Sequence, residues 1–254
     1  MTTSSTAQPA SLNRDRARAP SFVDLRALAN DFAIILRERA DGPDAFMQCR
    51  EPLWAAGAPS AIGVLHLAGS GRVEAMPADE YVIVIQGAVT LESGQGTIVL
   101  AEGESAVLQK DAAFAWQAGD EAILAYMRYF ESGDGDAKLV EIGRAPQMAP
   151  SGAPAESLLI GPAPACRTHL DYAANDGRFK CGTWDSTPCR RHGFRYPHHE
   201  IMHILDGEVT LEDEFGAVRR FVTGDIILAE KGSHCAWDSP APVTKTFAIY
   251  RLAP

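Results

Sequence analysis

The chain predicts an all-β fold of two tandem, related units. Three observations carry that reading: a long internal repeat, short strands separated by glycine turns, and a composition that is nearly half apolar. The repeat is the strongest. Glu80-Tyr-Val-Ile-Val-Ile-Gln-Gly87-Ala-Val-Thr-Leu-Glu92 returns as Glu200-Ile-Met-His-Ile-Leu-Asp-Gly207-Glu-Val-Thr-Leu-Glu212, and Gly103-Glu104 and Trp116 return as Gly224-Asp225 and Trp237. Units of this size are duplicated domains rather than solenoid repeats.

In chain order, residues 1–20 are polar and read as a flexible tail without an export signal. Residues 21–45, with Phe22, Leu25, Leu28, Phe32, Ile35 and Leu36, read as a strand followed by a short helix entering the first domain, 21–130. Strands are predicted at Ile62–Leu67, Tyr81–Ile85, Val89–Leu91, Thr97–Leu100, Ser105–Leu108 and Ala122–Arg128. A proline-rich linker lying extended over the surface is expected over 131–164. The second domain, 165–254, offers Phe179–Trp184, Glu200–Leu205, Glu208–Glu212, Val218–Phe221, Ile226–Leu228 and Thr244–Tyr250. Gly87 and Gly207 fall where a tight hairpin needs a positive φ, and Gly224-Asp225 reads as a turn.

A net charge of −10 argues against nucleic acid or an anionic membrane surface as partner, and no run is long enough to span a bilayer. The local cluster of Arg190, Arg191 and Arg195 reads as a solvated loop. Five cysteines without regular spacing read as free thiols, so a cytoplasmic location is expected.

As an ordered set, Trp184, Thr187-Pro188, Tyr196, Glu200, Leu205-Asp-Gly207-Glu-Val-Thr-Leu211, Gly216, Phe221, Gly224-Asp225, Gly232, Trp237 and Lys245 resemble the cupin superfamily, nearest its EutQ-like branch. The first copy matches in outline through Glu80, Gly87, Gly96, Gly103 and Trp116. The resemblance implies a bicupin: two RmlC-like jelly-roll barrels, each able to hold a pocket. It also implies a question about metal, because metal-binding cupins carry histidines that this chain lacks. The upstream positions hold residues from Gly193 to Tyr196, and eleven residues beyond Gly224 stands Cys235, beside His234. A displaced set drawn from His198, Glu200, Cys235 and His234 stays open as an alternative, and the cofactor is left unknown. Strand parity turns His203 away from the interior that Met202 and Ile204 line.

Six of the seven histidines and four of the five cysteines lie after residue 165, and the first copy places Ile83, Ala113 and Phe114 where His203, His234 and Cys235 stand. The site is therefore expected in the second barrel, with the first filled by apolar side chains as a packing partner. Glu200 is the candidate acid/base, with a raised pKa unless a cation or metal pairs with it; a salt bridge to Arg195 or Lys245 is the competing structural role. Tyr196 and Lys245 are assigned to orient the substrate, and Met202, Cys235, Trp237 and Trp184 to line its pocket. Two function classes follow: an enzyme acting on a small polar metabolite, or a non-catalytic module that binds one. A homodimer is the expected assembly, on the pattern of a duplicated barrel that pairs further.

Overall fold

The computed structural model describes residues 22–37, 45–53 and 59–252; the expected N-terminal tail lies outside them. Two units repeat one plan, a large sheet facing a smaller one. In the first, a six-stranded sheet runs in the order Leu139–Glu141, Ser105–Leu108, Asp79–Gly87, Ala122–Tyr129, Ser60–Leu67, Arg50–Pro52, against a four-stranded sheet of Ser70–Val73, Phe114–Gln117, Val89–Ser93 and Gly96–Leu100. In the second, a seven-stranded sheet runs Phe22–Asp24, Ile226–Ala229, His199–Asp206, Val243–Tyr250, Phe179–Ser186, Cys166–Ala173, Ala149–Ser151, against four strands ordered Cys189–Arg195, His234–Ser239, Glu208–Asp213, Val218–Val222. All pairings are antiparallel. These are two jelly-roll barrels in tandem.

Each large sheet is buried on both faces, which explains the continuous hydrophobic runs in the repeat. Val82 and Val84 point into the first barrel with Leu65, Leu91, Phe114 and Trp116. Their neighbours Tyr81, Ile83 and Ile85 point the other way, into a core shared with Ile201, Leu228, Ala248 and Tyr250 of the second unit. The barrels therefore pack through their large sheets, and Met202 and Ile204 line the inside of the second one. His203 lies on the shared side, as parity requires. A Cβ on Gly103 would sit 2.7 Å from its Cε1, and burial pushes the imidazole down to about 4.

Helix Leu25–Arg37 seals one edge of this shared core with Leu25, Leu28 and Ala29. Asp24 caps it, its Oδ1 accepting from the backbone of Arg26 at 2.9 Å and of Ala27 at 3.1 Å. Arg26 donates to the carbonyls of Ile85 at 3.0 Å and Gly224 at 2.7 Å, so one side chain bridges both barrels. Tyr172 and Tyr129 add hydroxyl bonds to Asp79 and Asp176 across the same boundary.

Three expectations are corrected. Phe22–Asp24 does not start the first barrel; it pairs with Ile226–Ala229 at the edge of the second unit's large sheet. The segment expected as an extended linker supplies an edge strand to each unit, Leu139–Glu141 to the first and Ala149–Ser151 to the second. The arginine cluster is no solvated loop, because Arg190 and Arg191 lie on the strand Cys189–Arg195. Gly87 and Gly207 do take positive φ, 78° and 85°. A Cβ there would also fall 2.3 Å from the carbonyl oxygens of Glu121 and Pro242, so both turn geometry and space demand glycine.

Candidate functional site

The residues singled out in the second repeat meet inside the second barrel. Tyr196, Met202, Cys235 and Trp237 belong to one buried apolar cluster, with Trp184 and Phe194 packed against it. Strand His199–Asp206 carries Glu200 into this interior, where it is 6% exposed. Strand Val243–Tyr250, its direct neighbour, carries Lys245, whose Nζ donates to Glu200 Oε1 at 2.7 Å. His198 Nε2 stands 3.4 Å from Glu200 Oε2. Lys245 also lies over two indoles, 5.1 Å from the centre of Trp184 and 5.3 Å from that of Trp237. Those indoles meet edge to face at 6.3 Å. Trp237 is fixed by its Nε1 donating to Ser239 Oγ at 3.0 Å.

This geometry changes the expected state of Glu200. Burial alone would raise its carboxyl, but the Lys245 ammonium, helped by His198, outweighs burial and holds it at about 2. The carboxylate is thus an anion in an ion pair, with Lys245 rather than Arg195 as partner. Arg195 turns outward to the Gly232 carbonyl at 3.0 Å and to Glu214 at 3.4 Å. Burial also pushes the Cys235 thiol up to about 11 although Arg191 opposes the shift, so this cysteine is no thiolate nucleophile. Tyr196 stacks on Phe194 at 5.0 Å and accepts from Arg191 Nη2 at 3.0 Å. Burial raises its phenol well above the ordinary value.

The displaced metal set does not assemble. His234 lies on the outer face of the small sheet. It packs over Gly193, where a Cβ would sit 2.4 Å from its Cε1. There it lines an open groove of about 340 Å³ with Arg190, His192, Glu212 and Asp238. Cys235 turns inward toward Tyr196. Among the described residues no three histidine, cysteine, aspartate or glutamate side chains converge as a metal site, and an ammonium already sits against the carboxylate. The side chains present therefore do not fit the displaced metal set drawn from His198, Glu200, Cys235 and His234.

Arg191 is the residue that sequence reasoning missed. The strand Cys189–Arg195 carries a bulge between Arg191 and Phe194, where it pairs with His234–Ser239. The extra residue lets Arg191 and Phe194, three apart, both face the interior, where simple alternation would oppose them. The Arg191 guanidinium lies 4.7 Å from the centre of Phe194, 5.2 Å from Trp237 and 5.9 Å from Tyr196. Only the bulge, invisible in residue types, gives it that aim.

The first barrel treats its own glutamate differently. Glu80 is fully buried between Arg50, at 2.8 and 2.9 Å, and Arg128, at 2.5 Å. Arg50 in turn lies against Phe46 and Tyr126. The remaining interior is apolar.

The EutQ-like cupin domain family matches residues 173–247, the strands that build the second barrel. A structure from Pseudomonas syringae pv. tomato, a protein of unknown function in the DUF861 family, is 30% identical to the chain; the match covers 82% of this chain and 89% of that one with a TM-score of 0.76. The salicylate 1,2-dioxygenase of Pseudaminobacter salicylatoxidans shares the fold at 9% identity, over 95% of this chain and 87% of its own, with a TM-score of 0.53. No curated protein sequence matches. Among the described residues no helix is long and apolar enough to cross a membrane. With both barrels covered by a relative at 30% identity, the chain belongs to the cupin superfamily, in its EutQ-like branch.

Proposed function

We propose that the C-terminal barrel is a binding pocket for a small polar metabolite and that the Glu200–Lys245 pair orients the ligand there. The observation that carries this reading is the contrast between two equivalent glutamates. Glu80 is neutralised by two arginines inside an otherwise apolar barrel. Glu200 has one lysine and one histidine, set among Trp184, Trp237, Tyr196 and Phe194. Convergent polar groups on an aromatic wall are the usual make-up of a small-molecule site. A carboxylate held at about 2 is a poor proton acceptor and no proton donor at neutral pH, which favours a binding role in the resting state.

An enzyme reading has its own support in His198, whose Nδ1 is buried without a hydrogen bond while Nε2 faces Glu200. A ligand group that takes the Lys245 ammonium would free Glu200 to act as a base, with His198 beside it. The variant Glu200→Gln separates these roles. A binding module loses ligand affinity by about tenfold or more and forms no product in either form. An enzyme retains affinity and loses turnover by 100-fold or more. If Glu200→Gln changes thermal stability alone, the pair is a structural salt bridge and the proposal fails.

A further inference from the structure

Among the described residues, one cation inside the second barrel, Arg191, faces no carboxylate partner, and that names a ligand class. Arg191 and Lys245 bring two cations into the interior; Lys245 already holds Glu200 at 2.7 Å, and the buried Asp213 carboxylate accepts from the backbone of Phe215 and Ala217, each at 2.9 Å. Arg191 forms no ion pair with a carboxylate among the described residues; its polar contact is the bond from Nη2 to the Tyr196 hydroxyl at 3.0 Å. Its Nε is buried and makes no hydrogen bond. The aromatic faces of Phe194 and Trp237 steady the charge from 4.7 and 5.2 Å, but a ring face does not accept the in-plane N–H groups. Two further buried polar atoms in the same barrel, Ser186 Oγ and His198 Nδ1, are likewise without partners. Buried donors left unpaired are costly, and a guanidinium presents its donors in the parallel geometry that a carboxylate matches. The overall charge of −10 does nothing to gather anions, so any selectivity for them resides in this interior.

We infer that the C-terminal barrel takes a small organic carboxylate, its oxygens accepting from Arg191 and its hydrocarbon part lying against Trp184, Trp237 and Phe194. The inference rests on the reading of this barrel as a ligand pocket and adds the charge of its ligand. Arg191 is then the specificity-determining residue, while Lys245 stays engaged with Glu200 and sets the local field.

The full chain is titrated with acetate, malonate and benzoate, and in parallel with acetamide, malonamide and benzamide, following tryptophan fluorescence and the midpoint of thermal unfolding. At least one carboxylate is expected to saturate and to bind tenfold or more tighter than its amide. Arg191→Gln should weaken that carboxylate about 10- to 100-fold, the range for a charge-assisted pair. Arg191→Lys, which keeps the charge without the fork, should recover part of the loss. Amides that bind as tightly as the carboxylates would overturn the inference while leaving the pocket reading intact. Carboxylate binding unchanged in Arg191→Gln would overturn it too. Saturation by neither class would remove both readings. Should Arg191→Gln fail to fold, the carboxylate-to-amide ratio of the unaltered protein decides alone.

Discussion

Lys245 and Glu200 depend on each other, and the two single substitutions should be unequal. Lys245→Met leaves a buried carboxylate without its cation and is expected to cost about 3–5 kcal/mol. Adding Glu200→Gln removes the stranded charge, so the double variant should recover much of that loss; denaturant melts of the four proteins make the comparison. The pH dependence has a definite sign. The folded Glu200 carboxyl is depressed from 4.5 to about 2, so its stabilisation is complete above the ordinary carboxylate range and disappears as pH falls through that window. The unfolding midpoint of Glu200→Gln should therefore fall less than that of the unaltered protein between pH 5 and 2. Equal slopes would mean that the ion pair does not form. Cys235, held as a neutral thiol, should react slowly with alkylating reagents at neutral pH.

The hairpin carrying Gly207 sets the register of strand His199–Asp206, and through it the aim of Glu200. Its φ of 85° and the 2.3 Å approach to the Pro242 carbonyl make Gly207→Ala costly, by about 1–3 kcal/mol or more, read as a lower unfolding midpoint. Much at this scale was legible in the sequence. The repeated glutamate-to-glycine spacing located both hairpins, and parity placed Met202 and Ile204 inside and His203 outside. What stayed hidden depends on pairings far apart in the chain. That Lys245 would reach Glu200 was one option among several, because the contact follows from the register of adjacent strands. Arg191 was read as part of a solvated loop because it sits in a cluster of like charges, and the bulge that lets it face the interior together with Phe194 leaves no mark in residue types. Phe22–Asp24 was assigned to the nearer barrel, since nothing local marks a strand that pairs with Ile226–Ala229.

At the scale of the molecule, the core shared by the two large sheets ties their fates together. Tyr81, Ile83, Ile201 and Leu228 bury against one another, Arg26 spans both units, and the first strand of the chain completes the second sheet. The two barrels should therefore unfold in one transition, with calorimetric and van 't Hoff enthalpies in agreement; two separable transitions would show the shared core to be weak. The proposed division of labour follows the same architecture, with the largely apolar first barrel as support and the polar, aromatic-walled second barrel as the pocket. Amide and indole chemical-shift mapping during titration with the carboxylate series tests that division most directly. The Nε1 signals of Trp184 and Trp237 should shift together and saturate, while that of Trp116, inside the first barrel, stays in place. Shifts at Trp116, shifts confined to the outer groove around His192 and His234, or no saturable shift would contradict a pocket in the C-terminal barrel.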